Sequence, residues 1–487
     1  MLLHLDKSKS ETIFDQIVNQ IRDLIDNGDL APGFLMPSTR QLASSLGVNR
    51  STVVRAYEEL WSLGYFESTP GSYTKVRKRK SIKHINSEKS ERDDFWSNHF
   101  IGDNNLFIDN LNSYRKDTKA DVDVISFQRL EPDPRLINKK IIASCFRDAL
   151  NDTEQNIFGY CHSMGFKPLR EAIASHMRLH SVNVEADNVL ITNGSQNSLE
   201  LIFQSLVGKE DSIAVETPTY SMLIPLVKYY GCKVYEIPMH SDGLDLKVLK
   251  KITSQTKLKL LITTPTFQNP TGITMSQAKR EELINICEDN NILIIEDSIE
   301  EELKYFGKVH LPVKSIDTNG IVIYLGTFSK ILAPGLRLGW IIADVECINR
   351  LTALKTIFDL STNTFSQLLM YKYCKSGQYE LHIRKCMRAF RKRMKVALKS
   401  LKMYIPKDRA SWDEPLGGFL IWIKLNIKPD VNIEEHFLKY RVKVIDGKNF
   451  FFSAPKDRYI RLSIAKSNEA EIEEGIKRLG RALESIE

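Results

Sequence analysis

A chain of 487 residues, 42% of them hydrophobic, can bury a large core and hold more than one domain. Its 68 basic and 61 acidic residues leave a net charge of only +7, too mild by itself to identify a nucleic-acid partner. The most apolar runs are strand-length, far short of the ~20 residues that span a bilayer, no basic region leads an apolar signal core, and seven cysteines without a C-x-x-C pair argue against a disulfide framework or a zinc site, so the expectation is a soluble cytoplasmic protein with no membrane partner and no metal.

Phe14, Ile17, Ile21, Leu24 and Ile25 recur at helical spacing before Gly28, which predicts a first helix and its stop. Pro37 and Ser38 open a second helix that Gly47 ends, and Asn49 caps a third with Val53, Ala56, Tyr57 and Leu60 on one stripe. "YFESTPGSYTKV" then supplies two short β-prone runs around Pro70-Gly71, a hairpin or wing. Two short helices joined at Gly47-Val48 fit a helix-turn-helix whose second helix enters the major groove. Met36 to Tyr57 carries Arg40, Arg50 and Arg55 and no acidic residue. With the apolar stripe inward, Arg50, Ser51, Val54 and Arg55 face outward, and Ser38, Arg40, Arg50, Ser51, Thr52 and Arg55 are the candidate contacts to double-stranded DNA.

Residues 78–123, with "KSIKHINSEKSERDD", are charged and poor in apolar periodicity and read as a basic linker. From about Val124 onward, "NVLIT", "SIAVE", "KVYEI", "LKLLITT", "ILIIED", "IVIYLGT" and "LGWIIA" alternate with amphipathic helices, the pattern of a mostly parallel α/β sheet.

In "YLGTFSKILAPGLRLGW", Lys330 lies among glycines, hydroxyls and apolar residues. A desolvated amine is a nucleophile toward an aldehyde and can form a Schiff base, and pyridoxal 5'-phosphate further needs an acid at its ring nitrogen, a donor-rich phosphate cup and a donor at its phenolic oxygen. Asp297 ends the strand "ILIIED"; Ser195 and Gln196 follow Gly194 at a helix start; Thr327, Ser329 and Arg337 surround Lys330; Asn269 sits on the turn "FQNPTG"; Tyr220 in "ETPTY" can stack on the ring; Arg461 in "RYIRLSIA" suits a carboxylate. Singly each of these is also an ordinary turn, loop or surface pair. Their order and spacing together carry the assignment.

"LAPGFLMPSTRQLASSLGVNRSTVVRAYEELWSLGYFESTPGSYTKV" resembles the GntR-type winged-helix domain nearly end to end, departing at Met36, where leucine is usual, and at Tyr73, where glycine is common near the wing tip. The segment from about Ile125 to Leu483 resembles fold-type I aminotransferases, and the combination resembles the MocR subfamily of GntR-type regulators. The resemblance implies an α/β fold: a winged helix over 1–77, a linker over 78–123, and an aminotransferase-like domain over 124–487 with a smaller subdomain from about 375. It implies Lys330 as the residue bonded to the cofactor, Asp297 at the pyridine nitrogen, Asn269 at the phenolic oxygen, Arg461 at a substrate or effector carboxylate, and Ser195, Gln196, Thr327, Ser329 and Arg337 at the phosphate. "FGYCHSMGFKPLREAI" is similar to a family segment from which Tyr160 reaches the phosphate of a partner subunit, which implies a homodimer. Where the family usually shows a tyrosine two residues after the aspartate, this chain has Ile299. If the strand continues extended to that position, Ile299 shares the Asp297 face. The expected function is a bacterial regulator that senses an amino compound or the cofactor itself. The alternatives are an active aminotransferase with a DNA-binding appendage and a DNA-binding protein with a merely dimerising domain, which the intact set Lys330, Asp297 and Arg461 disfavours.

Overall fold

The computed structural model describes residues 3–67, 73–78, 99, 123–152, 157–308, 310–428 and 431–486. The chain divides into two units, Met1–Asn104 and Asn105–Glu487. Apart from residues 78, 99 and 123, the stretch read as a basic linker lies outside the described residues, as does the wing tip at 68–72.

In the first unit, helix α1 (Ile13–Asp26) starts at Thr12, whose side chain accepts from the Asp15 amide, and buries Ile17, Val18 and Ile21. Helix α2 (Thr39–Leu46) opens with a reciprocal capping box between Ser38 and Gln41 and ends at Gly47 in the left-handed region, a conformation that glycine adopts without strain. Asn49 caps helix α3 (Arg50–Ser62), which buries Val53, Ala56, Tyr57 and Leu60. The Tyr57 hydroxyl donates to the Pro37 carbonyl at 2.9 Å, tying α3 to the entrance of α2. Strands β1 (Phe66–Glu67) and β2 (Lys75–Val76) pair antiparallel as the stem of the wing.

The second unit begins with β3 (Ile125–Ser126) and continues through β4 (Val189–Thr192), β5 (Ser212–Thr217), β6 (Lys233–His240), β7 (Gly243–Leu244), β8 (Leu260–Thr263), β9 (Leu293–Asp297), β10 (Val322–Thr327) and β11 (Gly339–Ile342). Strands β4 to β11 form one sheet in the order β4-β11-β10-β9-β8-β5-β6-β7. It is parallel except for β11 and β7, which run against their neighbours. Val322–Thr327 is buried throughout, as expected of strands covered by helices on both faces. The C-terminal part adds β12 (Ala410–Trp412), β13 (Leu420–Leu425), β14 (Val442–Lys443), β15 (Ile445–Asp446) and β16 (Arg458–Ser463). Four of these make an antiparallel sheet in the order β12-β13-β16-β15, while β14 pairs in parallel with β3, joining this layer to the start of the unit. Among the described residues no helix is long and apolar enough to cross a membrane.

Candidate functional site

Because β4, β10, β9, β8 and β5 run in one direction, the residues that follow their C-terminal ends meet along one edge of the sheet, where open α/β sheets bind ligands. Asp297 is the last residue of β9 and stands opposite Leu325 of β10. Thr327 closes β10, so Ser329 and Lys330 follow on the same edge. β4 leads through Gly194 into the helix Ser195–Leu206. Arg461 reaches in from β16, donating through Nη1 to Asn269 Oδ1 at 3.2 Å and through Nη2 to the Gln128 carbonyl at 2.7 Å.

A cradle forms at the start of the helix Ser195–Leu206. Arg337 donates from Nη2 to the Asn193 carbonyl at 2.9 Å, and a Cβ on Gly194 would come within 2.6 Å of that nitrogen. A Cβ on Gly339 would meet the Gly194 backbone at 2.8 Å and the Ser195 amide nitrogen at 2.9 Å. The cradle thus needs glycine at both places and sets a guanidinium beside free helix amides, an arrangement suited to an anion. The Thr327 hydroxyl is committed to the backbone, donating to the Leu338 carbonyl at 3.0 Å and accepting from the Ser329 amide at 3.1 Å. Among the described residues, Gln196 Oε1, Asn269 Nδ2, Asp297 Oδ1 and Ser329 Oγ are buried without a hydrogen-bond partner. Each such group costs about 1–3 kcal/mol unless a ligand or water satisfies it. Asp297 lies close to Lys330 and Ser329 precedes it in the chain, and unpartnered donors and acceptors at this edge fit a polar ligand that both accepts and donates.

The pocket is electrostatically tense. Burial, then the neighbouring Glu216, push Asp297 up to about 7, against the pull of Lys330. Burial holds the Lys330 amine below the usual lysine range, with Glu300 and Asp297 opposing that fall and Arg461 adding to it. Burial lifts Glu300 to about 8, opposed by Lys330, by the Phe419 amide and by Arg461. Burial also lifts Glu216 to about 7, although Thr263, Thr264 and Gln268 all donate to it.

Glu300 is a pocket residue that sequence reasoning missed, because a Glu300-Glu301-Glu302 run reads as a solvated loop. It is only 1% exposed. The alternation argument for Ile299 is corrected by the same segment: β9 ends at Asp297 and residues 299 and 300 form a turn, so the strand does not carry Ile299 onto the Asp297 face. Ile299 is buried, and Glu300 is the residue near Lys330. Gln128 and Glu216 were also missed, and no local motif marks either. Tyr220 is part-buried at the exit of β5. Tyr160 is 85% exposed and is not brought together with the other candidates.

In the first unit Ser38, Arg40, Arg50, Ser51 and Arg55 are exposed and Thr52 is half-buried. The Arg55 guanidinium lies 5.1 Å over the Phe14 ring, so part of its surface is already used. Ser51 donates its hydroxyl to Asn49 Oδ1, and Ser38 serves the α2 cap.

Comparison with known proteins agrees with both halves. The family described as aminotransferase class I and II matches residues 133–479, and that of bacterial regulatory proteins, gntR family, matches residues 14–76. An HTH-type transcriptional regulator of Bacillus subtilis, YdfD, is 30% identical over 99% of this chain and 98% of its own length. Aromatic-amino-acid aminotransferase 1 of Thermococcus litoralis is 35% identical over 74% of this chain and 88% of its own. The crystal structure of Pyrococcus horikoshii kynurenine aminotransferase, solved with PMP, superposes at a TM-score of 0.73 with 30% identity over 80% of this chain and 98% of that one. With a GntR DNA-binding domain fused to a class I and II aminotransferase domain, and a regulator matching it along its whole length, the chain belongs to the MocR-type GntR transcriptional regulators.

Proposed function

We propose that this regulator holds pyridoxal 5'-phosphate in its aminotransferase-like domain and reports an amino compound, or the cofactor itself, to an operator bound by its winged helix. The observation that carries the reading is the group of unpartnered buried polar atoms on Gln196, Asn269, Asp297 and Ser329 beside a part-buried Lys330. Lys330 would bond to the cofactor, Asp297 would pair with its ring nitrogen, and Asn269 with its phenolic oxygen. Ser195, Gln196, Ser329 and Arg337 would surround its phosphate, with Thr327 holding the Ser329 backbone in place through its own hydroxyl, and Tyr220 would cover the ring. Bound there, the group supplies an electrophilic carbon that exchanges onto amines. The chain's own part is to keep the Lys330 amine low in proton affinity by burial, to hold charge of both signs around it through Asp297, Glu300 and Arg461, and to offer the Arg461 guanidinium to a carboxylate.

In this reading the protein is a cytoplasmic homodimer in which Tyr160 of the partner subunit completes the phosphate cup, and the large exposure of Tyr160 and Phe158 supports such a face. Residues 1–77 would be the DNA-binding domain, 78–123 a linker, and 124–487 the sensor, with a smaller subdomain from about 375. Ser38, Arg40, Arg50, Ser51, Thr52 and Arg55 would contact operator DNA. The 35% identity to an aromatic-amino-acid aminotransferase favours a second reading, full transamination. The test is to reduce the full-length protein with borohydride, map the adduct, and footprint operator DNA with and without amino acids. A pyridoxyl group on Lys330 and an amine-dependent footprint are expected. No adduct, or one on another lysine, overturns the cofactor assignment, and rapid turnover with a footprint indifferent to amines favours the enzyme.

A further inference from the structure

A second cluster of chemistry-bearing side chains lies in the same unit, away from Lys330. His176, in the helix Lys167–Leu179, and His180, at its C-cap, are four residues apart, the spacing that sets two imidazoles on one side of a helix. Both present Nε2 to the same carboxylate oxygen, Glu302 Oε1, at 2.6 Å for His176 and 3.2 Å for His180, and one ligand atom from each of the three lies within 4.8 Å of the others. Two metal ligands at ~2.0–2.1 Å in tetrahedral geometry are themselves roughly 3.3 Å apart, so only a small outward shift of the carboxylate would admit an ion.

The rings are set in place by packing: the centroid of His176 is 5.4 Å from that of Tyr379 and 5.1 Å from that of His180. A further carboxylate, Glu301, lies 3.8 Å from His180 Nδ1 and is held by the Tyr324 hydroxyl at 3.0 Å and Lys304 Nζ at 2.9 Å. At 3.8 Å Glu301 makes no hydrogen bond to the ring, but it places a second negative charge beside His180. The His180 and Glu302 side chains are 18% and 20% exposed, which leaves a path and a fourth position for water. Two imidazoles and one carboxylate suit zinc, cobalt or nickel rather than calcium or magnesium. Among the described residues this is the one His, Cys, Asp and Glu group with such convergence.

We infer that His176, His180 and Glu302 form a binding site for one divalent transition-metal ion of the zinc class. Glu302 is five residues beyond Asp297, on a segment whose Leu303 and Gly418 are hydrogen-bonded, so an ion there would also anchor the strap that carries Glu300 into the pocket.

The test is metal binding by the untagged full-length chain. Zn2+ uptake by equilibrium dialysis and Co2+ absorption are measured for the natural protein, for His180→Gln, and for Glu302→Gln, which keeps the side-chain size and an oxygen facing His176 but removes the charge. About one ion per chain is expected, with the visible bands of a low-symmetry Co2+ site, no thiolate charge-transfer band, and at least tenfold weaker binding in each variant. Uptake unchanged by both substitutions, a thiolate band pointing to the cysteines, or no stoichiometric uptake at all would overturn the site and leave the trio a hydrogen-bonded ion cluster.

Discussion

Replacing Glu300 by glutamine should flatten the pH dependence of folding stability. Burial lifts this carboxyl from an ordinary 4.5 to about 8, so over that interval the folded chain keeps a proton that the unfolded chain has released. The stability this proton confers is fully present below about pH 4.5 and is lost as the pH rises through about 8. At about 1.36 kcal/mol per tenfold change in proton affinity, full ionisation costs the fold up to about 5 kcal/mol, and the part falling between about pH 6 and about pH 8 is roughly 2 kcal/mol. Asp297 and Glu216, each pushed up to about 7, act in the same direction, so the natural chain should lose more than Glu300 alone accounts for. Glutamine keeps an oxygen able to accept from the Phe419 amide, which now donates to Glu300 Oε2 at 3.4 Å, but cannot ionise. The assay is urea unfolding of the full-length chain across that pH range, followed by near-ultraviolet circular dichroism of the second unit. The variant should fall less steeply by about 2 kcal/mol, whatever its absolute stability. Parallel pH profiles for the two proteins would refute the burial argument.

Gly339→Ala should lower cofactor retention at least about tenfold, since its Cβ would sit 2.8 Å from the Gly194 backbone and push the helix amides away from the anion position; Gly335→Ala, with nothing within 4 Å of the added atom, is the control, and equal retention of cofactor on gel filtration in both would contradict the cradle. Arg393→Ala should destabilise the second unit by about 3 kcal/mol in urea, because Arg393 Nη2 meets Asp133 Oδ2 at 2.5 Å with both side chains buried; a loss under about 1 kcal/mol would mean that Arg135, 2.8 Å from the other oxygen, suffices alone. Arg50→Ala should weaken specific operator binding about tenfold at fixed salt without changing the visible spectrum, and an unaltered footprint would remove Arg50 from the interface.

The parts of the fold legible in the sequence are those set by neighbours along the chain. The Ser38 cap, the Gly47 stop and the Asn49 cap each act within a helical turn, so residue type alone announces them. The sheet strands show as apolar runs because both their faces are buried. Their parallel direction follows from the helices between them, and with it the gathering of Asp297, Lys330 and Asn269 at one edge. Only the tertiary structure decided the reversal of β11, the pairing of Ile125 with Val442, and the meeting of Arg461 with Asn269, 192 residues apart. It alone turned β9 after Asp297, burying Glu300 beside Lys330 and carrying Glu302 to His176. A run of three glutamates looks solvated in sequence because charged groups usually are. Here the turn sends them into different surroundings, and the polar groups they meet come from elements more than a hundred residues away in some cases. The energy of a buried charge depends on those distant partners, so no local pattern could have revealed it.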